Sequence, residues 1–210
     1  VDEQGEDVKP ESYLYKKGNS VWKPIVLEAD GYYTANDFDS NGKLNANLPQ
    51  PRFGRVAPGD IKYKDYNNDQ VVDENDAHPI GNSTIPAWNY MFSGGFKYKG
   101  FDFSVMFQGV AQRDIYLRGA NIYSFQNNGT ASNLALDSWT PTHTDASYPR
   151  LSTMNFSNNY RTSTFWRRNG SFLRLRNVQV GYELANSVTR ALRLSSCLLY
   201  TSDAADEEDS

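Results

Sequence analysis

The sequence predicts an all-β chain whose antiparallel strands form part of a transmembrane β-barrel, a partial barrel with long extracellular loops. Three observations carry this expectation. Aromatic residues recur with period two from Trp88 to Phe107, a two-residue turn at Lys99 and Gly100 interrupts them, and long polar excursions, about 28–86 and 114–170, separate the strands. Composition agrees: 14 Tyr, 11 Phe and 4 Trp make up 14% of 210 residues, alongside abundant Asn, Ser, Asp and Gly, a mixture that favours strands and turns over helices.

The first strand runs from Ala87. Trp88, Tyr90, Phe92, Phe96 and Tyr98 fall on one face and Asn89, Met91, Ser93, Gly95 and Lys97 on the other. After Gly100 the phase restarts, with Phe101, Phe103, Val105 and Phe107 opposed by Asp102, Ser104, Met106 and Gln108. A turn at Lys99 and Gly100, with glycine supplying the positive φ such turns need, sets Tyr98 against Phe101, Phe96 against Phe103 and Phe92 against Phe107. The same register puts Lys97 opposite Asp102 on the other face, so one alignment satisfies both. Strands of about 13 residues, tilted by roughly 45°, span bilayer thickness.

A third strand covers Ser171 to Leu184, where Val178, Val180 and Tyr182 alternate with Asn177, Gln179 and Gly181. Upstream, Leu173 and Leu175 alternate with Arg174 and Arg176 in the opposite phase, a switch that a bulge near Arg176 and Asn177, or emergence from the membrane, explains. Tyr13 to Leu27 offers a further strand, and Ala131 to Trp139 a short helix within the second excursion. Residues 1–194 are expected as one partial barrel. Residues 195–210, containing Cys197 and an acidic end, are expected as a non-native or disordered tail: they resemble translated sequencing-adapter read-through, the alternative being a genuine acidic tail.

Charge and motifs exclude several function classes. A net charge of -4 with interspersed signs gives no footprint for nucleic acid. The mean hydropathy of -0.68 and the lack of an 18-residue apolar run exclude membrane-spanning helices, while leaving a barrel open. The single cysteine rules out a disulfide framework within one chain. The common templates for nucleophile elbows, zinc helices and phosphate loops are missing, and His78 and His143 read as ordinary surface histidines, so no enzyme is indicated.

One segment has the spacing of a cation loop. Asp65, Asn67, Asp69, Asp73 and Asp76 supply oxygens at positions 1, 3, 5, 9 and 12, and Val71 is placed to offer a backbone carbonyl, the arrangement that wraps Ca²⁺ in EF-hand-like loops. Gln70 stands where glycine would make the turn, and Asp76 where a bidentate glutamate is usual. The alternative is a self-capped Asx turn without an ion. In the excursions, Tyr116, Tyr123, Phe125, Trp139, Tyr148 and Trp166 are candidates for stacking on sugar rings or peptide side chains, against loop packing or an interfacial belt.

The run Pro58, Gly59, Asp60, Ile61, Lys62, Tyr63, Lys64, Asp65, followed by the acidic loop to Asp76 and by Pro79, Ile80, Gly81 and Asn82, resembles a hallmark of SusC/RagA proteins, the TonB-linked outer-membrane receptors. Lys99 to Gly109 and Ser171 to Tyr182 resemble two further strands of that family in the expected order. The resemblance covers about Val21 to Leu194 and identifies the chain as a carboxy-terminal barrel fragment. It implies import of glycans or peptides across the Gram-negative outer membrane. The implied partners are a SusD-like surface lipoprotein, TonB acting through a region not in this sequence, the oligosaccharide or peptide substrate, and outer-membrane lipid. Rival readings are a soluble secreted β-sandwich binding carbohydrate or calcium and, more distantly, a glycan-active enzyme.

Overall fold

The computed structural model describes residues 18–20, 22–126, 129–153 and 158–183, together with the backbone of 198–204. The chain divides into two compact units. Unit 1 comprises Val1–Thr84 with Asp114–Asn169, and unit 2 comprises Ile85–Arg113 with Gly170–Ser210.

Unit 2 is a four-stranded antiparallel sheet. Its strands are β7 (Trp88–Tyr98), β8 (Phe101–Ala111), β11 (Phe172–Glu183) and β12 (Leu198–Ala204), in the order β12-β11-β8-β7. The β7–β8 register pairs Tyr98 with Phe101, Phe96 with Phe103, Phe92 with Phe107 and Lys97 with Asp102, as the alternation requires. Lys97 Nζ lies 2.9 Å from Asp102 Oδ2. Between the strands Lys99 has φ 49° and Gly100 φ 89°, both left-handed, the two-residue turn whose twist matches that of the strands it joins. The β8–β11 register shifts between Leu175 and Asn177, leaving Arg176 as the extra residue of a bulge where the sequence changes phase.

Seven residues of the stretch set apart as a tail form β12, paired through their backbone from Asn177↔Ala204 to Glu183↔Leu198. The free N–H and C=O groups along the edge of β11 are what such a segment pairs with. Leu184, Cys197 and the rest of 184–197 and 205–210 lie outside the described residues.

Unit 1 is made from the spans expected as long loops. It holds short strands rather than an extended sheet: β1 (Ile25–Val26) on β6 (His78–Pro79), β2 (Ala29–Tyr32) on β4 (Ile61–Tyr63), β3 (Gln50–Pro51) parallel to β5 (Val71–Val72), and β9 (Asp114–Tyr116) on β10 (Arg167–Asn169). Of the strand expected over Tyr13 to Leu27, only β1 forms among the described residues, 18–20 and 22–24 taking turn and irregular structure, while 13–17 and 21 lie outside the described residues. The helix expected over Ala131–Trp139 is a single five-residue 3-10 segment, Asn133–Asp137, whose N-cap Ser132 makes no side-chain capping bond. An uncapped segment this short lacks the length at which an α-helix persists. The unit owes its order to a core of Leu27, Phe53, Ile61, Tyr63, Val72, Tyr123 and Trp166. A smaller cluster joins Tyr33, Leu44 and Val56. No helix among the described residues is long and apolar enough to cross a membrane.

Candidate functional site

The acidic loop closes on itself. Asp65 accepts from Asp69 N at 3.2 Å and Gln70 N at 2.8 Å, and Asn67 Oδ1 accepts from Asp69 N at 3.0 Å. Asp69 Oδ1 accepts from Val71 N at 2.9 Å, and Asp73 Oδ1 from Asn75 N at 2.8 Å. Asp76, only 1% exposed, accepts from Tyr66 N through Oδ1 and from Asp73 N through Oδ2, each at 2.8 Å. Gln70, at φ 66°, takes the left-handed turn in place of glycine. The carboxylates thus serve backbone N–H groups, and among the described residues no three His, Cys, Asp or Glu side chains converge as a metal cluster. The Tyr66 ring stacks on His78 at 3.9 Å beside this loop.

The aromatic candidates divide by burial. Tyr123 and Trp166 belong to the core, their ring centroids 5.1 Å apart, and packing rather than stacking on a solute accounts for both. Tyr148 packs against the same cluster, 6.2 Å from Trp166. Trp139 lies over Gly59, where a Cβ would come within 2.3 Å of the indole. Gly59 also has φ 89°, so glycine is required there twice over. Tyr116 is half-buried in β9, and burial raises its pKa. Phe125 sits at φ 63° in the turn after Tyr123. The cavity among Tyr123, Ser138, Tyr148, Asn159 and Trp166 is ≈ 30 Å³, the room of a water and not of a sugar ring.

A buried polar hub, not singled out by sequence reasoning, orders this unit. Asp60 is fully buried and accepts four bonds: from Arg150 Nε and Asn159 Nδ2 at 2.8 Å through Oδ1, and from Arg150 Nη2 at 3.1 Å and Ala57 N at 2.8 Å through Oδ2. Asn159 Oδ1 accepts from Ile61 N at 2.9 Å, and Asn158 Nδ2 donates to Ile61 O at 2.8 Å, so two side chains replace a neighbouring strand along β4. Tyr63 Oη donates to Asn158 O at 2.7 Å, and Trp166 Nε1 to Asn159 O at 2.9 Å. Burial pushes the Tyr63 phenol well above its ordinary range. The hub binds the Pro58–Asp65 run to residues 90 and more positions later. Its signal in the sequence was the Pro-Gly-Asp run itself, which marks one half of the contact and is silent on the other.

In the second excursion, His143 Nε2 lies 3.0 Å from Asp137 Oδ1. Bonds from Ser147 and His143 hold the Asp137 carboxyl below its usual value.

Unit 2 has two chemically distinct faces. On one, Tyr98, Phe101 and Tyr182 form a row, then Phe96, Phe103 and Val180, then Phe92, Phe107 and Leu175. These rings are open: Phe92 is 62% exposed and Phe96 60%. On the other face lie Lys97, Asp102, Ser104, Gln179, Asn177, Gln108 and Arg174, with Ser104 Oγ 3.5 Å from Gln179 Oε1. Trp88 pairs with Ala111 and Phe172 with Val110, so β7 begins, β8 ends and β11 begins at one end of the sheet. The tight turn closes the other end.

No protein-family model matches the chain. It is 24% identical over 201 residues to TonB-dependent receptor P3 of Formosa agariphila, covering 94% of the chain and 18% of the receptor. It is 28% identical over 169 residues to TonB-dependent receptor P39 of the same organism, covering 73% of the chain and 16% of the receptor. Among solved structures it resembles the RagAB peptide importer in its closed-closed state, with a TM-score of 0.53 and 16% identity over 85% of the chain and 18% of that protein. The open-open state gives a TM-score of 0.52 with 17% identity over 87% of the chain and 19% of that protein. The chain therefore spans less than a fifth of the length of these relatives. In sequence and fold it is similar to a segment of a TonB-dependent receptor of the SusC/RagA type, with the strands of a partial barrel.

Proposed function

We propose that this chain, similar as it is to part of a TonB-dependent receptor, supplies membrane-spanning strands and the long loops between them to an outer-membrane importer. The observation that carries the reading is the open aromatic face of unit 2. Strands β7 and β8 have 11 residues each and β11 has 12. At about 3.3 Å per residue and a tilt near 45°, 11 residues rise about 26 Å, the height of the apolar band of a membrane barrel. A face of Trp88, Phe92, Phe96, Tyr98 and Phe101 that is more than half exposed is costly in water and favourable against acyl chains. A β-sandwich would cover that face with a second sheet, and among the described residues none does.

In this reading the excursions emerge on the outer side, where a SusD-like lipoprotein meets them. TonB energises the importer through a region not in this sequence, and the cargo is an oligosaccharide or a peptide. The RagAB importer, a peptide transporter, supports the class of cargo. The curated relatives, both named as receptors, support a role other than catalysis. Of the aromatic candidates, the part-exposed Tyr116, Trp139 and Tyr148 are those carried forward as contacts to cargo. Calcium at Asp65, Asn67, Asp69, Val71, Asp73 and Asp76 rests on spacing alone, and the reading routes nothing through it.

Fractionation of cells expressing the complete gene product tests the proposal. Recovery with the detergent-extracted outer membrane is expected. Recovery from the soluble periplasm would overturn it and favour the sandwich.

A further inference from the structure

We propose that a pocket in unit 1, between residues 42–44 and 50–56, receives the carboxy-terminal residue of a peptide, an aliphatic side chain on its floor and the α-carboxylate against Lys43 and Arg55. The proposal deepens the importer reading by naming a peptide as cargo, and it rests on that reading.

Two pieces of local structure make the pocket. Phe38 and Leu44 pair in a short antiparallel bridge, and Asp39 caps the turn between them, Oδ1 accepting from Asn41 N at 2.8 Å and from Lys43 N at 2.9 Å. The other wall is β3 and the residues after it, fixed by Gln50 N donating to Gln70 O at 2.9 Å and Arg52 N to Val72 O at 3.0 Å. The cavity they line has a volume of ≈ 430 Å³, within the range of sites for small solutes. Leu44 and Val56 form its floor, with Pro51 beside them. Both floor residues belong to the smaller core cluster, so the floor is packed from below and keeps its shape without a ligand.

Charge selects the occupant. Lys43 and Arg55 line the cavity and are exposed, and no carboxylate lines it. Among the described residues neither side chain makes an ion pair or a hydrogen bond, whereas Arg52, in the same wall, is matched to Asp73 at 3.8 Å. Asp39, the carboxylate closest to Lys43 in sequence, is engaged by the backbone of its own turn. An anion seated beside the two cations is bonded by charged donors, and the planar fork of Arg55 suits a carboxylate. Gln50 Nε2 is spent on Asn45 O at 3.0 Å and Leu48 O at 2.7 Å, which leaves its Oε1 as an acceptor for an N–H. A carboxylate, an aliphatic body and an adjacent N–H together describe the last residue of a peptide. A sugar ring is served less well, because no aromatic side chain lines the cavity to stack on it.

The test uses the complete receptor, purified in detergent, with N-acetylleucine as the probe in calorimetry. The wild type is expected to bind it saturably, with an affinity that falls as salt rises. N-acetylleucinamide, which lacks the carboxylate, is expected to bind about tenfold more weakly or worse. The K43Q/R55Q variant is expected to weaken N-acetylleucine by a similar factor, and R55K, which keeps the charge and loses the fork, to lie between. R55Q alone gives the same comparison if the double variant folds poorly. Equal affinity of the acid and its amide overturns the proposal, as does equal affinity of wild type and K43Q/R55Q. Binding of 4-methylpentanoate as tightly as N-acetylleucine also overturns it, since a plain aliphatic acid then suffices. None of these results moves the receptor out of the outer-membrane fraction, so the importer reading stands or falls separately.

Discussion

The two units use the same residue types in opposite ways. Unit 1 buries its aromatics, with Trp166 2% and Tyr63 3% exposed, and satisfies their polar atoms through Asn158 and Asn159. Unit 2 holds Phe92, Phe96 and Phe101 on a face that stays more than half open. A chain that builds a close-packed core in one region does not leave a belt of phenylalanine uncovered in another for want of packing ability. On the proposed reading the difference is one of solvent: unit 1 is organised against water, and the aromatic face of unit 2 against hydrocarbon.

The largest expected effects lie in unit 1. Truncating Trp166 to Ala removes the centre of the core and its bond to Asn159, at a cost of about 3–5 kcal/mol. Asp60→Ala strands Arg150 and Asn159 without their shared acceptor and costs about 3–5 kcal/mol. Limited proteolysis of outer-membrane vesicles reads both. Cleavage within 114–169 should accelerate while the spans of β7 and β8 stay protected. Equal loss of protection in both units would show that they do not order separately.

On the sheet, Phe96→Arg is expected to cost about 1–2 kcal/mol, less than a cation at the bilayer midplane because β7 ends two residues further on. Lys97→Gln, one residue away on the other face, is expected to stay within about 0.5 kcal/mol. Folded receptor per cell in the outer membrane measures the pair, and equal levels for the two variants would remove the contrast between faces.

Two smaller effects concern the loops. The Asp137 carboxyl is held below its ordinary value of 3.8 by Ser147 and His143, so its contribution to stability is present above pH 3.8 and lost as pH falls through the lower folded value. Asp137→Asn should therefore reduce thermal stability at neutral pH, with the deficit closing in acid. A deficit independent of pH would point to lost packing instead. For the acidic loop, titration with millimolar Ca²⁺ separates the two readings of its spacing, and a self-capped Asx turn without an ion gives no saturable heat. Stoichiometric binding would support the calcium reading, with those oxygens arranged around an ion.

The sheet was legible in the sequence because its information is local. Alternation from Trp88 to Phe107 and a turn that needs positive φ leave one register, and the phase change at Arg176 and Asn177 leaves one place for the bulge. The core of unit 1 was not legible, because its decisive contacts join residues 90 or more apart through single polar side chains. Nothing adjacent to Arg150 announces that its partner is Asp60, and an Asn-Asn pair within an Asn-rich excursion carries no mark of standing in for a strand. Trp166 and Tyr123, read alone, fit a cargo-stacking role as well as a core. Only the long-range fold tells the two apart.

The most direct test of the central claim is residue-by-residue accessibility along β7 in the complete receptor embedded in bilayers. Spin labels placed singly from Phe92 to Tyr98 should alternate with period two. Oxygen, which partitions into lipid, should relax labels at Phe92, Gly94, Phe96 and Tyr98, and a water-soluble paramagnet those at Ser93, Gly95 and Lys97. Uniform access of the water-soluble reagent to both sets, with no alternation, would contradict the assignment of the aromatic face to lipid.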